Sequence, residues 1–205
     1  MDNHVDEEVL VNLMPMLTEG VARAHARAID NMILNGDSGA GISGLVDFAS
    51  ITTGASGSTG EAITSAMLLD ARKDMGKYGL NPADVTYVVS QKRYYDLIAD
   101  PAFADITDVG SDIATKVTGM IGAVYGSPVI ISDNFGAESG SAEFAYAVNT
   151  SNFVIPRLRG VTVEQANEVA KQRQLIVAHQ SLGFDRLFSD AANDRAAVKI
   201  QFVQA

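Results

Sequence analysis

The feature that most constrains this chain is the run from Pro15 to Leu34, which reads as a single helix with apolar residues on two sides. At the usual rise per residue it would span about 30 Å. Leu17, Val21, Ala24, Ala28 and Met32 recur at spacings of four and three, while Ala22, Ala26, Ile29 and Ile33 form a second strip. Only a narrow polar ridge remains, made of Glu19, Arg23, Arg27 and Asp30. A helix apolar on two sides is expected to be packed on two sides, with its alanines letting neighbours approach closely. Residues 5–14 form a short amphipathic segment before it, and Pro15 stands where proline is tolerated, in a first turn. Asn35-Gly36 closes the helix, glycine being suited to the left-handed cap position.

Beyond the helix, residues 35–60 are rich in Gly and Ser, and Gly54 to Gly60 reads as a connector at a domain boundary. Ser58 and Glu61 have the capping-box spacing that opens a second helix, with Ile63, Met67, Ala71, Met75 and Tyr78 as its stripe. Gly79 closes it and Pro82 prevents continuation. The period then changes. Val85, Tyr87 and Val89 predict a strand, Lys92 to Ala99 a short helix, and Pro128 to Ser132 and Glu143 to Asn149 further buried strands. Strands follow at Val161/Val163, Leu175 to Ser181, and Val198, Ile200 and Phe202. No internal repeat is visible. The fold class is α+β, with a mixed α/β middle segment.

The length, 205 residues, allows one large domain or two small ones, and the absence of Cys removes disulfides, thiolate metal sites and a cysteine nucleophile. No apolar run approaches the roughly 18 residues of a membrane span, and the acidic start from Met1 to Glu8 is unlike a secretory signal. A net charge of −10 argues against a chain that binds nucleic acid through its phosphates. The charge is uneven: residues 1–150 carry 20 acidic and 8 basic side chains, residues 151–205 carry 5 and 7. Two explanations fit this asymmetry, a solvated surface or complementary faces between subunits.

Several motifs resemble chemistry. Gly39-Ala-Gly41-Ile-Ser-Gly44 matches G-x-G-x-x-G, but a dinucleotide site needs a strand before it and a helix after it, and here the order is reversed. Gly36-Asp-Ser38-Gly resembles the segment around a serine-protease nucleophile, which requires a His base and an Asp to orient it. His25 is the nearest candidate, and its apolar surroundings predict a packed core histidine. His4 and His179 are scattered, so no zinc site forms. Asp100, Asp105, Asp108 and Asp112 lack the spacing of a calcium loop and predict a solvated acidic loop, with a subunit contact as the alternative. Asn149-Thr-Ser151 is formally a glycosylation acceptor without a secretory context. No catalytic residue, no cofactor-binding residue and no metal ligand is therefore assigned.

In order along the chain, several segments resemble the tailed-bacteriophage major capsid proteins, whose fold encapsulin nanocompartments share. The first is Ala26-Arg-Ala-Ile-Asp30-Asn-Met-Ile-Leu-Asn35-Gly-Asp37, similar to the end of that family's spine helix, followed by Gly41-Ile-Ser-Gly44-Leu. Next comes Gly79-Leu-Asn-Pro82-Ala-Asp84 with Val85 to Ser90 and the Tyr94-Tyr95 helix. Gly119 to Gly126 with Ser127-Pro128-Val-Ile-Ile-Ser132, Phe144 to Asn149, Gly160-Val-Thr-Val-Glu164 and Lys171 to Phe184 complete the series.

The resemblance implies a phage major capsid fold with a peripheral domain at 1–60 carrying the spine helix at 15–34, an axial domain at 61–150, and a return to the peripheral domain at 151–205. It implies a structural subunit, not an enzyme, that self-assembles into an icosahedral head around phage DNA. Partners would be other copies, as pentamers and hexamers of a full shell, with a scaffold, portal or maturation protease. Neither sequence-specific nucleic acid nor a membrane is expected as a partner. The location would be the virion, after assembly in the bacterial host cytoplasm. Alternatives are an encapsulin-like shell subunit and a small-molecule-binding α/β enzyme using the Gly-rich loop 36–44. The family's N-terminal arm and extended loop have no counterpart before the helix, so the chain alone is expected to be a monomer or small ring. Some relatives cross-link Lys to Asn; Asn167 lies in a similar region and is expected to be an ordinary surface residue.

Overall fold

The computed structural model describes residues 13–37, 39, 41–52, 61–101, 122–135, 143–171, 173–188 and 194–201. His4, most of the 5–14 segment, Ser38, the connector with Ser58, Asp105, Asp108, Asp112 and Phe202 lie outside them. In chain order come α1 (Leu13–Asn35), α2 (Leu45–Phe48), β1 (Ser50–Ile51), α3 (Ser65–Asp74), β2 (Val85–Ser90) and α4 (Gln91–Ala99). They are followed by β3 (Ala123–Val124), β4 (Ser127–Ser132), β5 (Glu143–Asn149), β6 (Phe153–Val154), β7 (Arg157–Glu168), β8 (Arg173–Leu182), β9 (Asp185–Arg186) and β10 (Ala197–Gln201).

Six strands form one sheet in the order β1-β10-β5-β2-β4-β3. The predicted strands at 85–89, 128–132 and 143–149 are therefore side by side, β2 running parallel to β4 and antiparallel to β5. Alternation decides the burial. Val85, Tyr87 and Val89 are fully buried on one face of β2, where they meet Ala145 and Ala147 of β5 and Val198 and Ile200 of β10. The helical stripe Ile63, Met67, Ala71 and Met75 closes over this face, joined by Leu68 and by Leu97 of α4. Fully burying a side chain of this size contributes about 2 kcal/mol each. On the other face of the sheet, Leu34 at the end of α1 and Leu45 of α2 pack with Tyr146 and Val148.

The second helix starts later than its sequence predicts. Glu61 to Thr64 are not helical, and Thr64 is the cap of α3, its hydroxyl accepting from Met67 N. Asp100 completes this end from the far end of α4, its Oδ2 accepting from Ser65 N at 2.6 Å. The tertiary carboxylate thus outweighs the local Ser58/Glu61 pattern. It also corrects the expectation for Asp100, which is buried and not part of a solvated loop. A Thr64→Ala variant is expected to lose about 1 kcal/mol in urea unfolding, the usual value of a lost cap hydroxyl.

Two burial expectations are overturned. The strand at 128–132 forms, but Ile130 and Ile131 are 53% and 46% exposed, because β4 lies toward the edge of the sheet, outside the central strands that the helices cover. Similarly, α1 is not packed on two sides by the described residues. Met16, Leu17, Ala22, Ala24, Ala26 and Ala28 are exposed, and Leu34 alone among its described side chains is buried. Its polar ridge behaves as read: Arg23 pairs with Glu19 at 2.6 Å, and Arg27 reaches Asp133 beyond β4 at 2.6 Å.

The last unit is a long antiparallel hairpin, β7 with β8, set apart from the main sheet. Gln180 ties it to α1 by accepting from His25 Nε2 at 2.8 Å. Below it, β6 and β9 bring Phe153 and Phe184 into a stack at 5.4 Å, with Phe48 edge-on to Phe184.

Candidate functional surface

The Gly-rich stretch is a structural knot. Gly36 and Gly41 adopt left-handed φ values of 72° and 69°, and Asp37 and Ile42 form a one-pair antiparallel bridge that folds the chain back from α1. Gly44 then passes so close to Gly36 that a side chain at either would meet the other's backbone. Asp37 Oδ1 accepts from Gly39 N and Asp47 Oδ2 from Gly44 N, both at 2.9 Å. Backbone packing accounts for these glycines, and the four-residue α2 after them is no phosphate-binding helix.

The histidines are far apart in role. His25 is partly exposed where a core position was expected, and its partner is the amide of Gln180. His179 lies in β8, where its Nε2 accepts from Arg159 Nη1 at 3.2 Å. Among the described residues no group of three His, Asp or Glu side chains could hold a metal ion, and no helix is long and apolar enough to cross a membrane. Asn167 is exposed on β7 opposite Gln174.

The buried polar groups serve the fold. The Arg72 guanidinium donates to the carbonyls of Gly79, Leu80 and Tyr125, fastening the end of α3 to the turn before β4. Burial pushes the Tyr87 hydroxyl up in pKa, with the Arg72 charge acting the other way. Asp194 fastens the chain before β10: it accepts from Lys77 N at 3.1 Å and pairs with Lys77 Nζ at 3.2 Å. The Lys77 backbone N–H, then its ammonium, holds the Asp194 carboxyl below the usual 3.8. A lowered carboxylate stabilises the fold above its ordinary pKa and loses that contribution as pH falls through the lowered value. Unfolding midpoints of wild type and Asp194→Asn should therefore differ at pH 7 and converge as the pH falls through the lowered carboxyl pKa. The difference should be small, since both groups are exposed.

What stands out is apolar surface. The groove between α1 and β4 is lined by Ile33, Leu34, Val88, Ile130 and Ile131, with Asp30 and Ser132 at its rim. The hairpin exposes Leu158 (89%), Val161, Val163, Leu175 and Val177. Neither edge of the hairpin is paired with a further strand among the described residues, and open edges of this length are what proteins normally cover. The sequence assigned no site, and it missed this surface. The doublet Ile130-Ile131 reads as buried because a run of apolar residues carries no local sign of what covers it.

Comparison with known proteins agrees with this architecture. The chain is 33% identical over 193 residues to the major capsid protein of Escherichia phage T5, a match covering 92% of this chain. It is a relative of the phage major capsid proteins. The match covers 42% of the phage T5 protein, so the chain spans less than half of that relative's length. No protein-family model matches. Among solved structures, the capsid of the empty GTA particle superposes with a TM-score of 0.74 at 17% identity, covering 98% of this chain and 70% of that one. The capsid of cyanophage P-SCSP1u gives 0.71 at 12% identity over 100% and 70%. The SrpI encapsulin of Synechococcus elongatus gives 0.64 at 12% identity over 100% and 71%. At these identities the solved structures share the fold, which is the α+β capsid fold that the ordered motifs implied.

Proposed function

We propose that this chain is a structural subunit of a phage capsid shell and performs no catalysis. The observation that carries this is the 33% identity to a phage major capsid protein along nearly the whole chain. The exposed apolar helix and the open hairpin support it, because a shell subunit buries its surface against copies of itself. A shell also multiplies modest contacts by symmetry, so each can be weak. The net charge of −10 suits the inner wall of a DNA container, which should not hold a polyanion fast.

The proposed organisation makes α1 the spine, assigns 1–60 and 151–205 to a peripheral unit and 61–150 to an axial one. β1 and β10 extend the axial sheet from the two flanking segments. Partners are other copies, in rings of five and six, with a scaffold, portal or maturation protease as further partner classes. The location is the virion, after assembly in the host cytoplasm. The encapsulin reading shares the fold but not the sequence match.

Light scattering and negative-stain electron microscopy across concentration and salt test this. Rings of five or six copies, favoured by salt where acidic surfaces meet, are expected. A saturable rise in melting temperature with ATP, NAD or zinc would turn it toward an enzyme using the 36–44 loop.

A further inference from the structure

Of the asparagines in the sequence, only Asn35 is followed by glycine. In such a pair the glycine has no side chain to keep its backbone nitrogen away from the asparagine Cγ. That nitrogen can attack: the bond from Gly36 N to Asn35 Cγ forms, the Cγ–Nδ2 bond breaks, and the amide leaves as ammonia, carrying the proton that the backbone nitrogen gives up. Water then opens the five-membered succinimide at either carbonyl, leaving aspartate or isoaspartate. Asparagine is a thermolabile residue for this reason.

The fold holds both nitrogens of that reaction. Gly36 N, the nucleophile, donates to Met32 O at 2.8 Å as a closing hydrogen bond of α1. The leaving amide is clamped as well: Asn35 Nδ2 donates to Asn31 Oδ1 at 2.6 Å and to Asn134 O at 2.8 Å. Asn35 is the last helical residue, whereas ring closure needs Cβ nearly eclipsed with Gly36 N, which a helical ψ does not give. The peptide has no room to turn in place. A Cβ built on Gly36 would lie 2.6 Å from Gly44 N and 2.8 Å from Ile42 O.

The acceptor at 134 is itself fixed. Ser132 Oγ accepts from Asn134 N at 3.2 Å, Asp133 pairs with Arg27 of α1 at 2.6 Å, and Phe135 stacks on Tyr146 at 5.4 Å. Asn35 is exposed to water, so geometry and not access restrains the reaction.

We propose that Asn35-Gly36 is a conformation-gated self-modification site, closed in the folded chain and reactive when the end of α1 parts from Gly44 and from residues 132–135. The change is one-way. An aspartate at 35 has no proton to donate to Asn134 O, and it sets a negative charge against that carbonyl at the C-terminal end of a helix, two residues before Asp37. Each opening that ends in cyclisation therefore makes reclosure less favourable, and a local opening is recorded as a covalent change. The inference concerns this joint alone and stands whether or not copies assemble.

The full chain is incubated at neutral pH, folded and in guanidinium chloride, and the peptide holding Asn35 is followed by mass spectrometry, with enzymatic isoaspartate methylation as the second readout. Conversion at Asn35 is expected to be at least about tenfold slower in the folded chain, the ratio reporting the fraction of time the joint is open. Asn31→Ala removes one acceptor of the leaving amide at an exposed helical position. It should speed conversion several-fold in the folded chain and leave the rate in guanidinium unchanged. Asn35→Gln, which cannot close a five-membered ring, should convert in neither state, and Asn35→Asp should melt a few degrees below wild type. Equal rates for folded and unfolded wild type, or an Asn31→Ala chain that converts no faster than wild type when folded, overturn the gate. Faster conversion at another asparagine in guanidinium overturns the choice of site, and an unchanged Tm in Asn35→Asp overturns its one-way character.

Discussion

An Arg93→Ala variant is expected to lose about 3–5 kcal/mol of stability, a large part of what a domain of this kind has to lose. Arg93 is among the largest side chains that are fully buried, with 1% of the residue exposed. Its Nη1 donates to Glu61 O at 2.6 Å and to Asp96 Oδ2 at 2.8 Å. One guanidinium therefore ties α4 to the segment that leads into α3. Truncation removes the cation from beside Asp96, leaves the Glu61 carbonyl without its donor, and opens a void beneath the helix. Arg93→Lys should recover little, because an ammonium on a shorter stem lacks the planar fork. Arg93→Met should recover more, since it refills the volume without a charge. Urea midpoints for the three variants decide it, and Lys recovering more than Met would mean that charge rather than packing holds α4.

Arg93 also shows where the sequence stops being legible. The residues from Lys92 to Ala99 read correctly as a helix, but nothing in Gln91-Lys-Arg-Tyr says that the second cation points inward and the first outward. β2 was legible because of its alternation: Val85, Tyr87 and Val89 are all on the buried face. The start of α3 was not, because its cap is completed by Asp100, 35 residues further on. A local capping pattern was set aside by a contact no local rule contains.

The helix from Pro15 to Leu34 was legible as a helix and misread in its packing. Its two apolar strips require two partners, and the described residues provide few: the end at Leu34 is buried, Ile33 faces a groove, and Met16 and Leu17 are exposed. Under the proposed shell reading, the pattern describes burial that other copies of the chain would supply. The same holds for Ile130-Ile131 and for the hairpin valines. Where the periodicity demands more burial than the monomer supplies, the difference measures surface that other copies would cover.

A Gly44→Ala variant should be strongly damaging, costing about 3 kcal/mol or more. The reason is space, not backbone freedom: Gly44 has φ −96° and ψ 179°, extended values open to any residue. A Cβ there would press on Gly36 N, lie 2.6 Å from Asn35 C and 2.8 Å from Gly36 Cα, and all three are backbone atoms that cannot rotate away. The end of α1 and the start of α2 would have to separate, and with them Leu34 and Leu45 beneath Tyr146 and Val148. Gly41 is the contrast. Its φ of 69° is left-handed, but a Cβ there meets nothing within 4 Å. Gly41→Ala should therefore cost only about 1–2 kcal/mol, and Gly41→Asn less, because Asn tolerates this conformation better. For a chain of this length each kcal/mol shifts Tm by roughly 2–4 °C, so Gly44→Ala should melt some 6–12 °C lower and Gly41→Asn within a few degrees of wild type. The opposite order would mean that the loop is held by turn conformation, and that the close approach of the two helix ends contributes little to the fold.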